Sequence, residues 1–488
     1  MNPATPGTPE AATPDTAVTP VTEPGPPVQE FQVAVIGAGP GGYLAAIRAR
    51  QLGLTAVCIE KERLGGVCLN WGCVPSKALL RAAEHYTWLT KEANAFGITV
   101  EGVRYDYGRV VARSRKVADQ SERGVAFLFK KYGVSQLAGT ARITGPGTLE
   151  VATATGPVPV RAAHILLATG ARAKVFPGIE VDGERVLTYR EAIASPTQPE
   201  SVVVLGSGAI GCEFAYLWAS FGTQVTLVEL APRICPLEDT EVSAELARAF
   251  RKRGIDVRTG VACRSARREG DGVVVELSDG TTLRASHCLA ALGVAPNTEG
   301  LGLDVVGIRT GKAGWIEHDS SFRTNVPGFY TIGDVSGPPA LAHTAYAEAH
   351  VCIERIAGHP IPDVDYGNMP AATYCQPQVA SVGLTEEHAK ERGLEFRVGK
   401  APFAGNGKAR AIGSGEGFVK VLVGAKYGEI LGAHLIGPDV SELLANFVMA
   451  RSAEVTAEHF LHTVHAHPTL SEAMAEAVAV AVGKSAHL

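Results

Sequence analysis

FQVAVIGAGPGGYLAAIRARQLGLTAVCIE, residues 31–60, decides the fold. Its opening run, 31–36, is mostly apolar and β-branched, as a strand buried on both faces of a parallel sheet must be. Gly37, Gly39 and Gly42 follow in Gly-x-Gly-x-x-Gly spacing, with Gly41 between them. Leu44, Ala45, Ala46, Ile47 and Ala49 then read as a helix packed on that sheet, and 55–60 as a second strand. A glycine turn alone is weak evidence, but with a strand before it, a helix after it and an acid closing the next strand it describes a dinucleotide site. The first glycine permits the tight turn, the second lets a pyrophosphate approach the backbone, and the third allows close helix packing. The helix N-terminus supplies the favourable end of the dipole.

Residues 201–229, SVVVLGSGAIGCEFAYLWASFGTQVTLVE, repeat the unit with Gly206, Gly208 and Gly211. In both copies the acid stands 23 positions after the first glycine, as Glu60 and as Glu229, placed to accept hydrogen bonds from ribose hydroxyls. Two such units imply two dinucleotides. A carboxylate at 229 repels a 2′-phosphate, so the second site is expected to take NAD rather than NADP. Arg233, four residues on, reads as a solvated surface arginine.

Working outward, 488 residues suggest about three domains. Hydrophobic residues make up 46% and charged residues 19%, enough apolar material for several cores. The net charge of −5 gives no broad attraction for nucleic acid or an anionic membrane. No run approaches the ~18 apolar residues of a membrane helix. Residues 1–28 hold eight prolines and six threonines without periodicity, and are expected to form a disordered tail. No Lys or Arg precedes Arg48, which argues against a secretory signal or an organelle presequence, so a cytoplasmic location is expected. Beyond residue 365 alternating runs such as 379–382, 417–423 and 430–436 read as antiparallel strands, with helices at about 441–451 and 471–482. The fold class is α/β: two Rossmann-like units followed by an α+β domain.

Nine cysteines scatter over the chain, unlike a secreted disulfide framework. Seven read as reduced, mostly buried thiols. Cys68 and Cys73 stand apart, within GGVCLNWGCVPSK (65–77). Pro75 suits the first turn of a helix, which places Cys73 near a helix N-terminus where the dipole and Lys77 favour a thiolate. The residues alone allow two structural thiols or a redox-active disulfide; the adjoining dinucleotide unit favours the second. Near the C-terminus, His462, His465 and His467 fall within six residues, but no ligand pattern completes a metal site. Packing or solvated histidines are one reading. The other is a His467–Glu472 pair, with Pro468 opening a helix and the carboxylate fixing the imidazole as a base.

Three stretches carry a resemblance: GGVCLNWGCVPSKALL (65–80), TIGDVSGPPALAH (331–343) and HAHPTLSEA (465–473). From residue 31 onward the chain resembles the dihydrolipoyl dehydrogenases, within class I of the FAD-containing pyridine nucleotide–disulfide oxidoreductases. The resemblance implies an FAD-binding domain over 29–178, an NAD-binding domain over 179–300, a segment returning to FAD over 301–362 and a C-terminal dimerisation domain over 363–488. It implies that Gly37, Gly39, Gly42 and Glu60 bind the ADP half of FAD, and that Asp334 holds the ribityl chain with Ala342 and His343 near the flavin edge. Gly206, Gly208, Gly211 and Glu229 would bind NAD. Glu213 would pair with Lys77 near flavin and nicotinamide, and Thr169, Gly170 and Gly293 would complete the cofactor-binding set. Cys68 would exchange with substrate, Cys73 would face the flavin, and His467 polarised by Glu472 would be the base. In this family that base serves the partner's disulfide, so a homodimer is implied, as is a lipoyl-bearing carrier protein of a 2-oxoacid dehydrogenase or glycine cleavage system. No metal is implied.

Two departures stand out. Val294 occupies a position where many relatives have arginine, although Gly293, Pro296 and Asn297 are retained, and Gln378 replaces a frequent glutamate. Two other readings stand against this one. An NADPH-driven disulfide or mercuric reductase is disfavoured by Glu229 and by the absence of cysteine after 375. A purely structural docking subunit is disfavoured by the intact cysteine motif and the His467–Glu472 pair.

Overall fold

The computed structural model describes Met1 and residues 28–487; the tail expected to be disordered lies, apart from Met1 and Val28, outside the described residues. The strand Gln29–Ile36 pairs in parallel with Ala56–Glu60 on one side and Gly156–Leu167 on the other. Residues 33–36 are buried because both faces of this sheet are covered. Ser135–Ala138 extends the sheet at one edge, and the antiparallel strands Thr148–Thr153 and Thr140–Gly145 extend it at the other. Helix α1 (Pro40–Gln51) starts on a proline, whose missing N–H is not needed there. Helices α2 (Gly66–Trp71) and α3 (Cys73–Thr87) follow the second strand. The long α4 (Tyr107–Tyr132) is opened by the Asp106 carboxylate and closed by Gly133 at φ +68°.

The second unit repeats this plan. Five parallel strands run in the order Asp256–Thr259, Gln224–Glu229, Ser201–Leu205, His287–Ala290 and Val186–Leu187. Helix α5 (Ala209–Ser220) buries every residue from 211 to 218, as a helix enclosed on all sides does. Helix α6 (Thr240–Lys252) is amphipathic, and Asp239 caps it by accepting from the Glu241 N–H. A three-stranded antiparallel sheet, Cys263–Glu269, Gly272–Leu277 and Thr282–Ala285, is added beside it. A short ribbon, Ala171–Ala173 against Val294–Pro296, joins the two units.

The chain then returns. Phe329–Thr331 adds in parallel to Gly156–Leu167 of the first sheet, and α7 (Ala342–Ile356) packs across α1. The remaining residues form a five-stranded antiparallel sheet in the order Ala371–Thr373, Gln378–Gly383, Ile430–Gly437, Phe418–Gly424 and Phe396–Pro402. Helices α8 (Val440–Ser452) and α9 (Glu472–Ala481) cover it. The sequence reading found the central strands of this sheet but not Phe396–Pro402, where exposed residues interrupt the apolar alternation.

Charge ties the second unit to the C-terminal sheet. Lys420 is 1% exposed and its ammonium meets both Asp239 oxygens at 3.0 Å, Glu241 at 3.0 Å and Glu386 at 2.7 Å. Beside it, burial pushes the Glu238 carboxyl up to about 7. Among the described residues no helix is long and apolar enough to cross a membrane.

Candidate active site: two glycine turns around a thiol pair

The two glycine turns close alike. The N–H of Gly37 (φ +101°) donates to the Ile59 carbonyl, and that of Gly206 (φ +92°) to the Val228 carbonyl, each at 2.8 Å. The caps Gly39 and Gly208 share φ −66° and ψ −177°, with no side chain capping either helix. A Cβ on Gly42 would lie 1.9 Å from the Gly37 carbonyl oxygen, and one on Gly211 1.9 Å from that of Gly206. A Cβ on Gly39 or Gly208 would meet nothing within 4 Å. Each turn therefore presents uncapped helix N–H groups on an open side, which fits a diphosphate.

The acids do more than the sequence suggested. Glu60 accepts from the N–H of Ala38 and of Glu62, both at 2.8 Å. Glu229 accepts from the Ser207 N–H (2.8 Å) and hydroxyl (2.7 Å) and from the Ala231 N–H (2.8 Å). Each carboxylate latches the middle of its own glycine turn to the loop beyond the strand, which fixes its charge at the end of that strand.

Beside the first turn lie the two cysteines. A Cβ on Gly66 would sit 2.7 Å from the Gly39 Cα, so α2 rests directly against the start of α1. Cys68 lies within α2 and Cys73 opens α3. Both are free thiols, Cys68 half-buried and Cys73 exposed. The hydrogen bond between them, with Cys68 donating, holds Cys73 below the ordinary thiol value, and Lys77 and the helix-end backbone N–H add to this against burial. The same bond, together with burial, pushes Cys68 up. Asn70, fully buried, donates to the Leu64 (2.9 Å) and Gly66 (3.0 Å) carbonyls and fixes the loop. Sequence reasoning missed Asn70; its place between the two cysteines was the available signal.

Lys77 and Glu213 meet across the two units, at 2.9 and 3.1 Å. Glu213 is buried, and also accepts from the Tyr374 N–H at 3.1 Å. Lys77 lies 4.2 Å above the Tyr374 ring. Burial opposes the Lys77 charge, but Glu213 outweighs it and raises its pKa. Tyr374 was not foreseen, because nothing in its local pattern points at Lys77.

The returning segment completes the surroundings of the first turn. Asp334 lies in a single helical turn, Gly333–Val335, where burial and then Glu348 push its carboxyl up to about 6. A carboxyl so placed fits a ligand offering hydroxyl donors. Ala342 and His343 open α7, whose N-terminus also lacks a side-chain cap, and His343 lies 2.7 Å from the Pro370 carbonyl. Thr169 donates to the Asn297 carbonyl (2.7 Å), and the Asn297 backbone N–H donates to the Gly170 carbonyl (3.0 Å). Gly293, at φ +95°, accepts from the Lys174 N–H (3.0 Å). Val294 faces Ala173 in the joining ribbon. The cation of that ribbon is Arg172, bound to Glu299 and to the Pro296 carbonyl at 2.6 Å each. Gln378 accepts from the Ser441 hydroxyl at 2.9 Å beside the start of α8.

His467 Nδ1 lies 2.8 Å from Glu472 Oε1, and Glu472 Oε2 accepts from the Thr469 N–H at 2.8 Å. That N–H, then His467, holds the Glu472 carboxyl below its ordinary range. The His467 side chain is 78% exposed, so the oriented imidazole faces outward from its own chain. The helix expected to open at Pro468 begins instead at Glu472. His465 lies 3.2 Å from the Ser471 hydroxyl. Among the described residues no three His, Cys, Asp or Glu side chains are arranged to hold a metal ion.

Of the other seven cysteines, six are buried and Cys263 is half-buried. Arg233 is not the solvated arginine expected: it pairs with Glu387 of the C-terminal domain, with Nη1 2.9 Å from the carboxylate, because the fold brings the loop after Glu229 against that domain.

Residues 31–349 match the family model described as pyridine nucleotide-disulphide oxidoreductase, and 369–478 match the dimerisation domain of the same family. The chain is 45% identical over 480 residues to a Rhizobium etli protein named dihydrolipoyl dehydrogenase, covering 93% of this chain and 99% of the relative. It is 48% identical over 453 residues to one of that name from Chlorobaculum tepidum, covering 92% and 96%. Among solved structures it is similar to LpdA from Mycobacterium tuberculosis, with a TM-score of 0.86, 28% identity and coverage of 92% and 99%. The flavoprotein disulfide reductase RclA from Escherichia coli, at 24% identity and a TM-score of 0.83 over 92% of this chain and all of that one, shares the fold.

Proposed function

The chain belongs to the pyridine nucleotide-disulphide oxidoreductase family, and from that premise we propose how its own residues carry the reaction. It is an FAD- and NAD-dependent dihydrolipoyl dehydrogenase, and its dimerisation domain makes it a homodimer. Gly37, Gly39, Gly42 and Glu60 would hold the ADP half of FAD, Asp334 would accept from its ribityl hydroxyls, and Ala342 and His343 would serve the flavin end. Thr169 and Gly170 line the crossing to the second unit, where Gly206, Gly208, Gly211 and Glu229 would hold NAD, with Gly293 completing the set. Bound FAD supplies two-electron transfer between the thiol pair and NAD.

The single observation that carries this reading is the asymmetric pair Cys68–Cys73, set against the first glycine turn and within reach of the Lys77 ammonium. In the oxidised pair, a dihydrolipoyl thiol gives its proton to His467 of the second subunit, oriented by Glu472 there. Its sulfur attacks Cys68, the Cys68–Cys73 bond breaks, and Cys73 leaves as the thiolate that the helix start and Lys77 favour. His467 passes that proton to solvent and takes the one from the second substrate thiol, whose sulfur attacks the substrate sulfur bonded to Cys68; the cyclic disulfide closes and Cys68 is released as a thiolate. Lys77 and Glu213 keep a fixed charge pair between the two cofactor sites. The domains are taken as 29–178 (FAD), 179–300 (NAD), 301–362 (the return to FAD) and 363–488 (the interface). The partner is a lipoyl-bearing carrier protein, and the location is the cytoplasm.

Cys73→Ser tests the reading. Dihydrolipoamide-dependent NAD reduction is expected to fall by at least 10³-fold while FAD stays bound, since removing a nucleophile or leaving group of a coupled set removes most of the acceleration. NAD reduction at the wild-type rate in that variant overturns the assignment.

A further inference from the structure

Two buried thiols that the mechanism above leaves unused touch each other behind the second glycine turn. Cys212 follows Gly211 in α5, and Cys235 stands in the loop after Glu229. Their sulfurs are 3.6 Å apart, against about 2.05 Å in a disulfide. Both also bind the middle residue of the turn. The Ser207 carbonyl accepts from the Cys235 backbone N–H at 3.0 Å and from the Cys212 thiol at 3.2 Å. Glu229 holds the N–H and hydroxyl of the same serine. Counted from the first glycine of each turn, the matching positions in the first unit are Tyr43 and Gly66, so that unit has no such pair.

The surroundings decide which side moves if the sulfurs close up. A Cβ on Gly211 would lie 1.9 Å from the Gly206 carbonyl oxygen, so the start of α5 is already pressed onto the turn. The loop that carries Cys235 runs from Leu230 to Asp239 and holds the exposed Leu230 and Leu237. Cys235 itself stands at φ +44°, in the left-handed region that side chains rarely adopt. The loop is therefore the part that gives. A third thiol of the same core, Cys375, is turned to the Pro377 carbonyl at 3.5 Å.

We propose that Cys212 and Cys235 form a second redox disulfide, closed by hydrogen peroxide, that weakens NAD binding at the second glycine turn. This rests on the reading of that turn as the NAD site. When the loop opens, the Cys235 sulfur attacks one peroxide oxygen, the O–O bond breaks, and the thiol proton goes with the departing hydroxide as water. The Cys212 thiol then attacks the sulfenic sulfur, the S–O bond breaks, and a second water leaves as the S–S bond forms. Two thiols and one peroxide thus give one disulfide and two waters, and the sulfurs together lose two electrons. Closure brings the sulfurs about 1.5 Å nearer and removes the thiol donor from the Ser207 carbonyl. The N–H groups of the turn then lose the aim that a diphosphate requires. The first turn, without the pair, keeps its flavin.

The test uses the oxidised holoenzyme, in which Cys68 and Cys73 are already joined. Wild type, Cys235→Ser and Cys212→Ser are treated with hydrogen peroxide, denatured in iodoacetamide and digested without reductant. In wild type, mass spectrometry is expected to find the Cys212 and Cys235 peptides linked, two hydrogens below their summed mass. NAD affinity, read by titration before and after peroxide, is expected to fall about tenfold or more in wild type, with flavin content unchanged. In either serine variant peroxide is expected to leave NAD affinity where it was. A wild-type digest without the linked pair, or with Cys235 linked to Cys375 instead, overturns the proposal. So does a linked pair with unchanged NAD affinity, or an equal peroxide effect in the serine variants. Failure of the NAD assignment appears separately, as untreated enzyme that does not bind NAD, while the linked peptides still decide whether the disulfide forms.

Discussion

The turn at 37–42 and the turn at 206–211 share their φ angles, their helix caps and their latching carboxylates, yet their neighbours differ at one position. Gly41 in the first is pressed against Ile332 and Ala345. Its counterpart Ile210 is 38% exposed. The returning segment roofs the first turn, and among the described residues no such segment covers Ile210 in the second. Equal motifs thus give equal local geometry, while the roof encloses the first turn and leaves the second more open, a difference that fits the proposed assignment of FAD to the first and NAD to the second.

The sharpest way to break this comparison is to place a methyl group in each turn. Gly42→Ala puts a Cβ 1.9 Å from a carbonyl oxygen, and a misfit of that size displaces backbone rather than a flexible side chain. The Gly42→Ala protein is expected to purify without flavin. Gly211→Ala, with the same 1.9 Å contact, is expected to keep flavin and lose NAD affinity by more than about tenfold, or roughly 1.4 kcal/mol. Flavin absorbance and NAD titration read the two effects, and loss of flavin in the Gly211 variant ends the claim that the turns act independently.

Next in size is the anchoring of the second unit. Lys420→Met leaves Asp239, Glu241 and Glu386 facing one another without their shared cation. Breaking such a buried pair costs about 3–5 kcal/mol. Chemical denaturation is expected to show that loss, with flavin still bound in the folded fraction. A variant as stable as wild type would mean that the second unit is held by apolar packing alone.

Glu238 gives a smaller, pH-dependent effect at the same border. Its folded-state pKa of about 7 lies above the ordinary carboxyl value of 4.5, so the folded protein binds its proton more tightly than the unfolded chain. The stability this contributes is present below pH 4.5 and is lost as pH rises through 7. Glu238→Gln is therefore expected to stabilise the protein at pH 8 by about 1–3 kcal/mol and to do little at pH 4. An equal shift in melting temperature at both pH values contradicts the assignment.

The smallest effect belongs to Ile210→Ala. An exposed side chain changes stability by no more than about 0.5 kcal/mol, so melting temperature and flavin content are expected to hold while KM for NAD changes. Flavin loss in this variant would erase the contrast with Gly41.

Much of the cofactor-binding frame was legible because it is local. Gly42 and Gly211 are required by contacts five residues back, Gly37 and Gly206 by their positive φ, and a strand buried on both faces advertises itself as an apolar run. The cysteine loop was legible for the same reason, since Cys68 and Cys73 lie within one short segment. The Lys77–Glu213 pair entered only through the family resemblance, because its members are 136 positions apart.

What the sequence determined by itself was the duplication and the nearness of Cys68 to Cys73 and of His467 to Glu472, whose roles came only with the family resemblance. All are set by spacing along the chain and by the chemistry of side chains close in sequence. Only the tertiary structure decided the rest: that α7 returns to roof the first turn, that Arg233 is held by Glu387, that Lys420 collects three carboxylates, and that Tyr43 meets Tyr346. Those contacts join residues from 34 to 303 positions apart. They depend on how sheets and helices pack, and no local periodicity encodes which distant side chain will face which.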